Sequence, residues 1–88
     1  MEKIAQEVEK ILMQNHIDYI PHKHFKWLGR QSVDFFLPQY HMGIECKGIQ
    51  HFQMCDLEKA NKTLQMELLK FYLCEENYIN LIYVIYYI

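Results

Sequence analysis

The sequence contains little glycine and proline, with 3 and 2 residues among 88, so long flexible linkers are not expected. Hydrophobic residues make up 51% of the chain and charged residues 23%. That composition is too apolar for a disordered segment. At this length we predict one small domain over residues 1–88, with a thin core.

The chain also lacks paired cysteines and long apolar runs. Its three cysteines form no Cys-x-x-Cys pair, whereas a secreted disulfide scaffold normally has more, in even number. The first residues, MEKIAQEVEK, contain no apolar core of a signal peptide. The longest apolar stretch, residues 79–88, is far below the ~18–20 residues of a membrane span. We therefore expect a reduced, soluble, cytoplasmic protein that contacts no membrane.

Neither sign of charge is in large excess, since 9 basic residues stand against 11 acidic ones, for a net charge of −2. This balance excludes a uniformly basic protein but not a local basic surface. Residues 19–33 contain no acidic residue, and they predict a DNA-contacting edge with Lys23, Lys26 and Arg30 on phosphates. A solvated strand and turn accounts for these residues equally well. We expect Trp27 to pack against the sheet rather than stack on a base.

The hydrophobic pattern predicts the element order α-β-β-β-α-β. The helices cover residues 2–15 and 56–77, and the strands cover residues 20–25, 32–37, 42–47 and 79–88. Helical spacing predicts one apolar stripe on the first helix, formed by Ile4, Val8, Ile11 and Leu12. The long helix has a broad apolar face formed by Leu57, Ala60, Leu64, Leu68, Phe71 and Leu73. The last strand is apolar on both sides, which indicates a central strand or a partner interface.

The middle hairpin carries the most informative pattern. A four-residue loop over residues 38–41 pairs Leu37 with Met42, which places Asp34 directly opposite Glu45. Strand alternation puts Lys47 on the same face as Glu45. Directly opposed side chains have Cβ atoms about 4.5–5.5 Å apart, and two carboxylates that close repel unless a cation or proton lies between them.

A divalent cation would relieve that repulsion, because Mg²⁺ binds one or two carboxylates together with water and phosphate. Asp34 and Glu45 are the candidate ligands, and Lys47 would orient or help deprotonate the attacking water. Glu7, at the rim of the first helix, could add a further carboxylate. The same residues also fit an ordinary polar hairpin face, and Glu7 also fits a solvated helix rim.

Two segments of the chain resemble a known nuclease pattern: SVDFFLP at residues 32–38 and IECKGIQHF at residues 44–52. They are similar to the PD-(D/E)XK superfamily of restriction-endonuclease-like nucleases, and within it to the very-short-patch-repair-like branch. Glu67, Lys70 and Cys74, followed by ENYINLI at residues 76–82, resemble a second segment of that branch. The chain departs from the pattern in having Val33 for proline, Glu67 for aspartate, Tyr78 for glycine and Tyr83 for arginine.

The resemblance implies an α/β (α+β) fold whose mixed sheet is flanked by helices. It also implies a deoxyribonuclease that depends on Mg²⁺ or Mn²⁺ and hydrolyses DNA phosphodiester bonds as an endonuclease. Because 88 residues leave no separate recognition domain, we expect low intrinsic sequence specificity. The implied metal ligands are Asp34 and Glu45, with Lys47 completing the catalytic set. Glu7 and Gln50 are further catalytic candidates, and His51 is a nucleic-acid-binding candidate.

Other functions stay open at this point. A catalytically silent DNA-binding or assembly module could keep the same fold, and a protein-interaction domain would have no affinity for nucleic acid. Zinc is disfavoured because Cys46, His51 and Cys55 lack a fourth ligand at suitable spacing. The apolar excess of so small a domain predicts a homodimer.

Overall fold

The computed structural model describes residues 3–49 and 57–87. Two helices and four strands follow the predicted order: α1 Lys3–Gln14, β1 Ile20–His24, β2 Ser32–Leu37, β3 Met42–Ile49, α2 Leu57–Glu76 and β4 Asn80–Tyr87. Short 3₁₀ turns at Lys26–Leu28 and Pro38–Tyr40 connect β1 to β2 and β2 to β3. The predicted α-β-β-β-α-β order is confirmed.

The four strands form one mixed sheet in the order β1-β2-β3-β4. The β1–β2 and β2–β3 pairs are antiparallel, and β3–β4 is parallel. A parallel pair needs a long crossover connection, and α2 lies in that connection. The domain is therefore a small α+β fold. Because β4 lies at the edge of this sheet, the predicted central position of the last strand is wrong.

The β2–β3 hairpin has the predicted register, with Leu37 paired to Met42 and Phe35 paired to Ile44. Its loop combines the Pro38–Tyr40 turn with His41, which adopts a left-handed backbone conformation with φ 47° and ψ 48°. Proline fixes φ at a value suited to the start of such a turn. Local turn chemistry therefore sets the register that brings the polar residues together.

The helices pack on opposite faces of the sheet. On one face Leu12 of α1 packs with Phe35 and Leu37. The other face buries a second cluster, made of Leu28, Val33, Cys74, Ile79 and Leu81. The mixed sheet is therefore flanked by helices, as predicted.

Val33 does not share a cluster with Phe35, although simple strand alternation predicts that it should. The β1–β2 register pairs Pro21 with Phe35 and Lys23 with Val33, but it skips the position between them. At that position His22 has a left-handed backbone, with φ 49°. This irregularity accompanies the change of cluster between Val33 and Phe35.

The predicted apolar face of α2 points away from the sheet. Leu64, Leu68 and Phe71 are 57%, 59% and 42% exposed, whereas Lys70 and Cys74 are buried. At 100° per residue the inward pair lies roughly 100° around the helix from the apolar residues. The side chains of Leu57 and Ala60 lie outside the described part of the chain.

The orientation of α1 is closer to the prediction. Val8 and Leu12 pack against the sheet together with Ala5. Ile11 is 56% exposed, so its predicted place in the buried stripe is wrong. The small side chain of Ala5 takes part in the packing, which a pattern of large apolar residues does not reveal.

The aromatic residues between β1 and β2 form a packed group. Trp27 stacks on Phe25 with ring centroids 4.7 Å apart, and both rings pack against the second cluster. The prediction that Trp27 packs rather than projecting as a stacking platform is confirmed. Within the described ranges, neither helix is both long and apolar enough to cross a membrane.

Gly43 occupies a position that has no room for a side chain. A Cβ atom there would lie 2.9 Å from Leu81 Cδ1 and 2.9 Å from Val33 Cγ1, two buried side chains. We expect Gly43→Ala to lower the free energy of unfolding by about 1–3 kcal/mol through overpacking. Urea unfolding measures this loss as a shift in the transition midpoint.

Val33→Ala removes one of the two opposing methyl groups. The double variant Gly43→Ala with Val33→Ala should therefore lose less stability than the sum of the single losses, because neighbouring sites couple. An unchanged midpoint for Gly43→Ala would contradict the packing described here.

Candidate active site

The carboxylates of Asp34 and Glu45 each accept a backbone hydrogen bond across β2 and β3, one position beyond the last ladder pair. The backbone N–H of Asp34 donates to Glu45 Oε1 at 3.2 Å. The backbone N–H of Cys46 donates to Asp34 Oδ2 at 2.8 Å. Each carboxylate therefore accepts a bond from the opposite strand. The structure brings the two side chains together as the hairpin register predicts.

Glu45 is a buried carboxylate whose charge is paired with lysine. The side chain is 2% exposed, and its Oε1 lies 2.6 Å from Nζ of Lys70, which is itself 6% exposed. Nζ of Lys47 lies 3.7 Å from Oε2. Burial raises the pKa of Glu45. The ion pair with Lys70 lowers it, and the negative charge of Asp34 raises it further, so that the net shift is upward. The two lysines thus meet part of the need for a cation that the opposed carboxylates create.

Lys47 is held by a second acidic residue of α2. Its Nζ lies 2.6 Å from Oε1 of Glu67, while Oε2 of Glu67 is buried and has no hydrogen-bond partner among the described residues. Burial by itself would lower the pKa of Lys47, but the hydrogen bond and charge of Glu67, with Glu45 and Asp34, raise it. Lys47 is therefore a cation at neutral pH, so it can donate hydrogen bonds but cannot accept a proton. Of its two predicted roles, the geometry favours orienting water over deprotonating it.

A pocket of about 290 Å³ opens beside these groups. Its lining contains all three residues of the predicted catalytic set, Asp34, Glu45 and Lys47, together with Ala5, His22, Phe35 and Cys46. Side chains from α1, β1, β2 and β3 thus meet at one place. The left-handed backbone at His22 interrupts the β1–β2 ladder next to Asp34.

The pocket wall presents carboxylate oxygens, the kind of ligand that a hard divalent cation prefers. Mg²⁺ takes oxygen ligands and usually uses one or two carboxylates, with water filling the remaining positions. Asp34 and Glu45 supply two carboxylates on the pocket wall. Within residues 3–49 and 57–87, no group of three or more His, Cys, Asp or Glu side chains could hold a metal ion.

The five ionisable groups at and beside the pocket carry a small net negative charge. Three carboxylates, those of Asp34, Glu45 and Glu67, surround two ammonium groups, those of Lys47 and Lys70. One negative charge is left over when all five groups are ionised. This excess is small, so an ion would bind with the help of water and substrate oxygens rather than in a closed protein cage.

Not every predicted residue reaches the pocket. Glu7 is exposed and does not line it, because α1 turns Ala5 toward the pocket and Glu7 lies about 200° around the helix from Ala5. Lys26 and Arg30 are exposed, whereas Lys23 is half-buried with Nζ 5.4 Å from the Phe25 ring centroid. Gln50, His51 and Cys55 lie outside the described residues.

Lys70 and Glu67 form ion pairs with Glu45 and Lys47 at the site. In the sequence, only the resemblance to a motif pointed to these two residues, and it gave them no role at the site. Glu67, Lys70 and Cys74 follow i, i+3, i+7 spacing, which places them on one helix face. Charged residues at such spacing in a leucine-rich helix are the signal that could have indicated an inward polar stripe.

Tyr83 stands where the resembled branch has arginine. Burial, followed by the negative charges of Glu67 and Glu45, raises the pKa of Tyr83 to about 12. Its ring packs against the second cluster. Tyr83 is therefore a neutral, packed residue beside the site and supplies no positive charge for phosphate.

Comparisons with known proteins do not extend this picture. The chain matches no family model, no curated protein and no solved structure. What the site can do must therefore be argued from its own geometry.

The ion pair between Lys70 and Glu45 predicts a large effect of removing one partner. Lys70→Met leaves a buried carboxylate without its closest cation, so we expect a loss of about 3–5 kcal/mol in the free energy of unfolding. Denaturant unfolding measures this loss. Lys10→Met, at an exposed position of α1, is the control and should change stability by less than about 0.5 kcal/mol.

Replacing both partners distinguishes the energy of the ion pair from the packing energy of the two side chains. The double variant Glu45→Met with Lys70→Met buries no charge, so it should regain much of the lost stability. Equal stabilities for Lys70→Met and Lys10→Met would show that the buried pair does not hold the domain together.

Proposed function

We propose that the protein is a metal-dependent nuclease that hydrolyses DNA phosphodiester bonds on a minimal restriction-endonuclease-like core. The observation that carries this proposal is the convergence of Asp34, Glu45 and Lys47 on one pocket. Two carboxylates from adjacent strands with a lysine one pleat away combine a cation site with a donor for phosphate oxygens.

Each residue of the pocket has a defined part in this proposal. Asp34 and Glu45 hold the cation, and Lys47 donates hydrogen bonds to the attacking water or to a phosphate oxygen. When bound, Mg²⁺ or Mn²⁺ would polarise the scissile phosphate and lower the pKa of a bound water. Glu67 acts as a positioning residue, because its bond to Lys47 fixes the ammonium group beside Glu45.

DNA contact is proposed for the exposed basic residues that follow β1. Lys26 and Arg30 are free of described ion pairs and exposed, so they can contact phosphates without losing an internal partner. Phosphate contacts position a duplex but carry no sequence information. We therefore propose low intrinsic sequence specificity.

The cysteine content of the sequence supports a cytoplasmic location as part of the proposal. The three cysteines form no Cys-x-x-Cys pair and do not fit a secreted disulfide scaffold. We also propose that the working form is a homodimer.

A catalytically silent module is the second candidate, and one contact favours it. Lys70 already lies 2.6 Å from Glu45 Oε1, so this oxygen has a cationic partner before any metal arrives. In that case the polar cluster would only join α2 to the sheet. Such a module would bind DNA, or assemble with a partner, without cutting.

Cleavage of plasmid DNA distinguishes the two candidates. The wild-type protein should cut with Mg²⁺ or Mn²⁺ and stop on addition of EDTA. Asp34→Asn and Lys47→Met should each lower the rate by about 10²–10³-fold, because each removes a group that stabilises the reacting phosphate. Asp18→Asn and Lys10→Met, both at exposed positions, are the matched controls and should cut normally.

Two results would overturn the nuclease proposal. Cutting by Asp34→Asn at the wild-type rate would remove the proposed cation site. DNA binding by the wild-type protein, without cleavage under any divalent cation, would establish the silent module instead.

The salt dependence of DNA binding tests the basic residues separately. Each phosphate contact that is lost lowers the slope of log K against log salt by about 0.9 for duplex DNA, so Lys26→Gln with Arg30→Gln should reduce it by about 1.8. Lys3→Gln with Lys10→Gln removes the same charge from exposed positions of α1 and should leave the slope unchanged. Equal slopes for the two double variants would show that DNA does not contact Lys26 and Arg30.

A further inference from the structure

The outward side of α2 is an unusually apolar surface for a helix on the outside of a domain. Leu64, Leu68 and Tyr72, spaced by four residues, are 57%, 59% and 56% exposed, and Leu69 beside them is 52% exposed. We call these four residues the outer stripe. Soluble monomers rarely expose contiguous apolar patches of this kind, and such patches mark interaction sites.

The ends of the outer stripe carry opposite charges. Lys62 precedes it and Glu76 follows it, and both side chains are exposed. Residues 14 positions apart differ by about 40° around a helix, so the two charges lie on the same flank. Leu69 is the residue midway between them. The surface is thus basic at one end and acidic at the other, where Glu75 is also exposed. Between the ends, the apolar residues share the surface with the exposed side chain of Gln65.

We propose that the outer stripe binds a second copy of this chain, with the two α2 helices packed antiparallel about a two-fold axis near Leu69. In a two-fold interface the same patch faces itself. Antiparallel packing brings equivalent flanks together, so Lys62 faces the partner subunit's Glu76. Each dimer would contain this pair twice, on either side of a leucine- and tyrosine-lined centre.

Charge complementarity selects a second copy over other occupants. Because one patch carries both charges at equal distances from its centre, an identical patch turned through 180° satisfies both at once. The exposed residues Ile82 and Ile85 of β4 form another apolar surface. Among the described residues of β4, none forms a comparable pair of opposite charges beside Ile82 and Ile85.

The proposed interface is compatible with an open pocket. Lys70 extends to Glu45 from the side of α2 opposite Leu68 and Tyr72, and Glu67, at the boundary of the stripe near Leu64, extends to Lys47. Pairing through the outer stripe would leave those contacts in place. The inference therefore does not depend on the nuclease proposal, and a silent module would form the same dimer.

Sedimentation velocity over roughly 1–100 μM protein tests the proposal, because dimer formation depends on concentration. The wild-type chain should sediment as a dimer at the upper end of this range. Leu68→Asp should raise the dissociation constant at least about 100-fold, since it places a charge in the interface centre. Met13→Asp, at an exposed apolar position of α1, is the control and should not change it. Circular dichroism checks that both variants are folded.

Charge exchange tests the antiparallel arrangement itself. Lys62→Glu and Glu76→Lys should each weaken self-association by about tenfold, because like charges then face each other in two places. Mixed in equal amounts, these two variants should form a heterodimer of near wild-type affinity, since every facing pair is again opposite in sign.

Three outcomes would overturn the proposal. One is a wild-type chain that stays monomeric throughout the concentration range. Another is a dimer that survives Leu68→Asp but dissociates with Ile85→Asp, which would assign the interface to β4. The third is a mixture of the charge variants that associates no better than either alone, which would exclude the antiparallel pairing.

Discussion

The buried carboxylate of Glu45 is the constraint on which the rest of the structure depends. A carboxylate that is 2% exposed requires a nearby cation or a proton, and Lys70 supplies the cation at 2.6 Å. That contact ties α2 to the centre of the sheet, with Cys74 buried one turn further along. It also determines which side of α2 faces inward and which side faces solvent.

The same contact organises the candidate site. Once α2 presents Lys70 to Glu45, Glu67 lies beside Lys47 and holds its ammonium group at 2.6 Å. Asp34 completes the arrangement through hydrogen bonds with the opposite strand. The carboxylates and ammonium groups nearly balance, and a pocket of about 290 Å³ opens beside them.

The sequence was sufficient for features set by local chemistry. The hairpin register followed from the loop at residues 38–41 and strand alternation, and it correctly brought Asp34 to Glu45. The inward face of α2 could not be predicted in this way. The buried carboxylate of Glu45, more than twenty residues earlier in the chain, turns Lys70 inward, and the apolar residues of α2 face outward as a result. The shift of Val33 to the second cluster likewise accompanies an irregular backbone at His22, on another strand. The edge position of β4 depends on sheet order, which the apolarity of a single strand does not encode.

Paramagnetic NMR with Mn²⁺ reports directly whether the pocket binds a cation. Substoichiometric Mn²⁺ broadens the signals of nearby nuclei. We expect the backbone amides of Asp34 and Cys46 to broaden first, and Asp34→Asn to abolish this effect. Preferential broadening around the exposed carboxylates of Glu75 and Glu76, with the pocket amides unaffected, would contradict it.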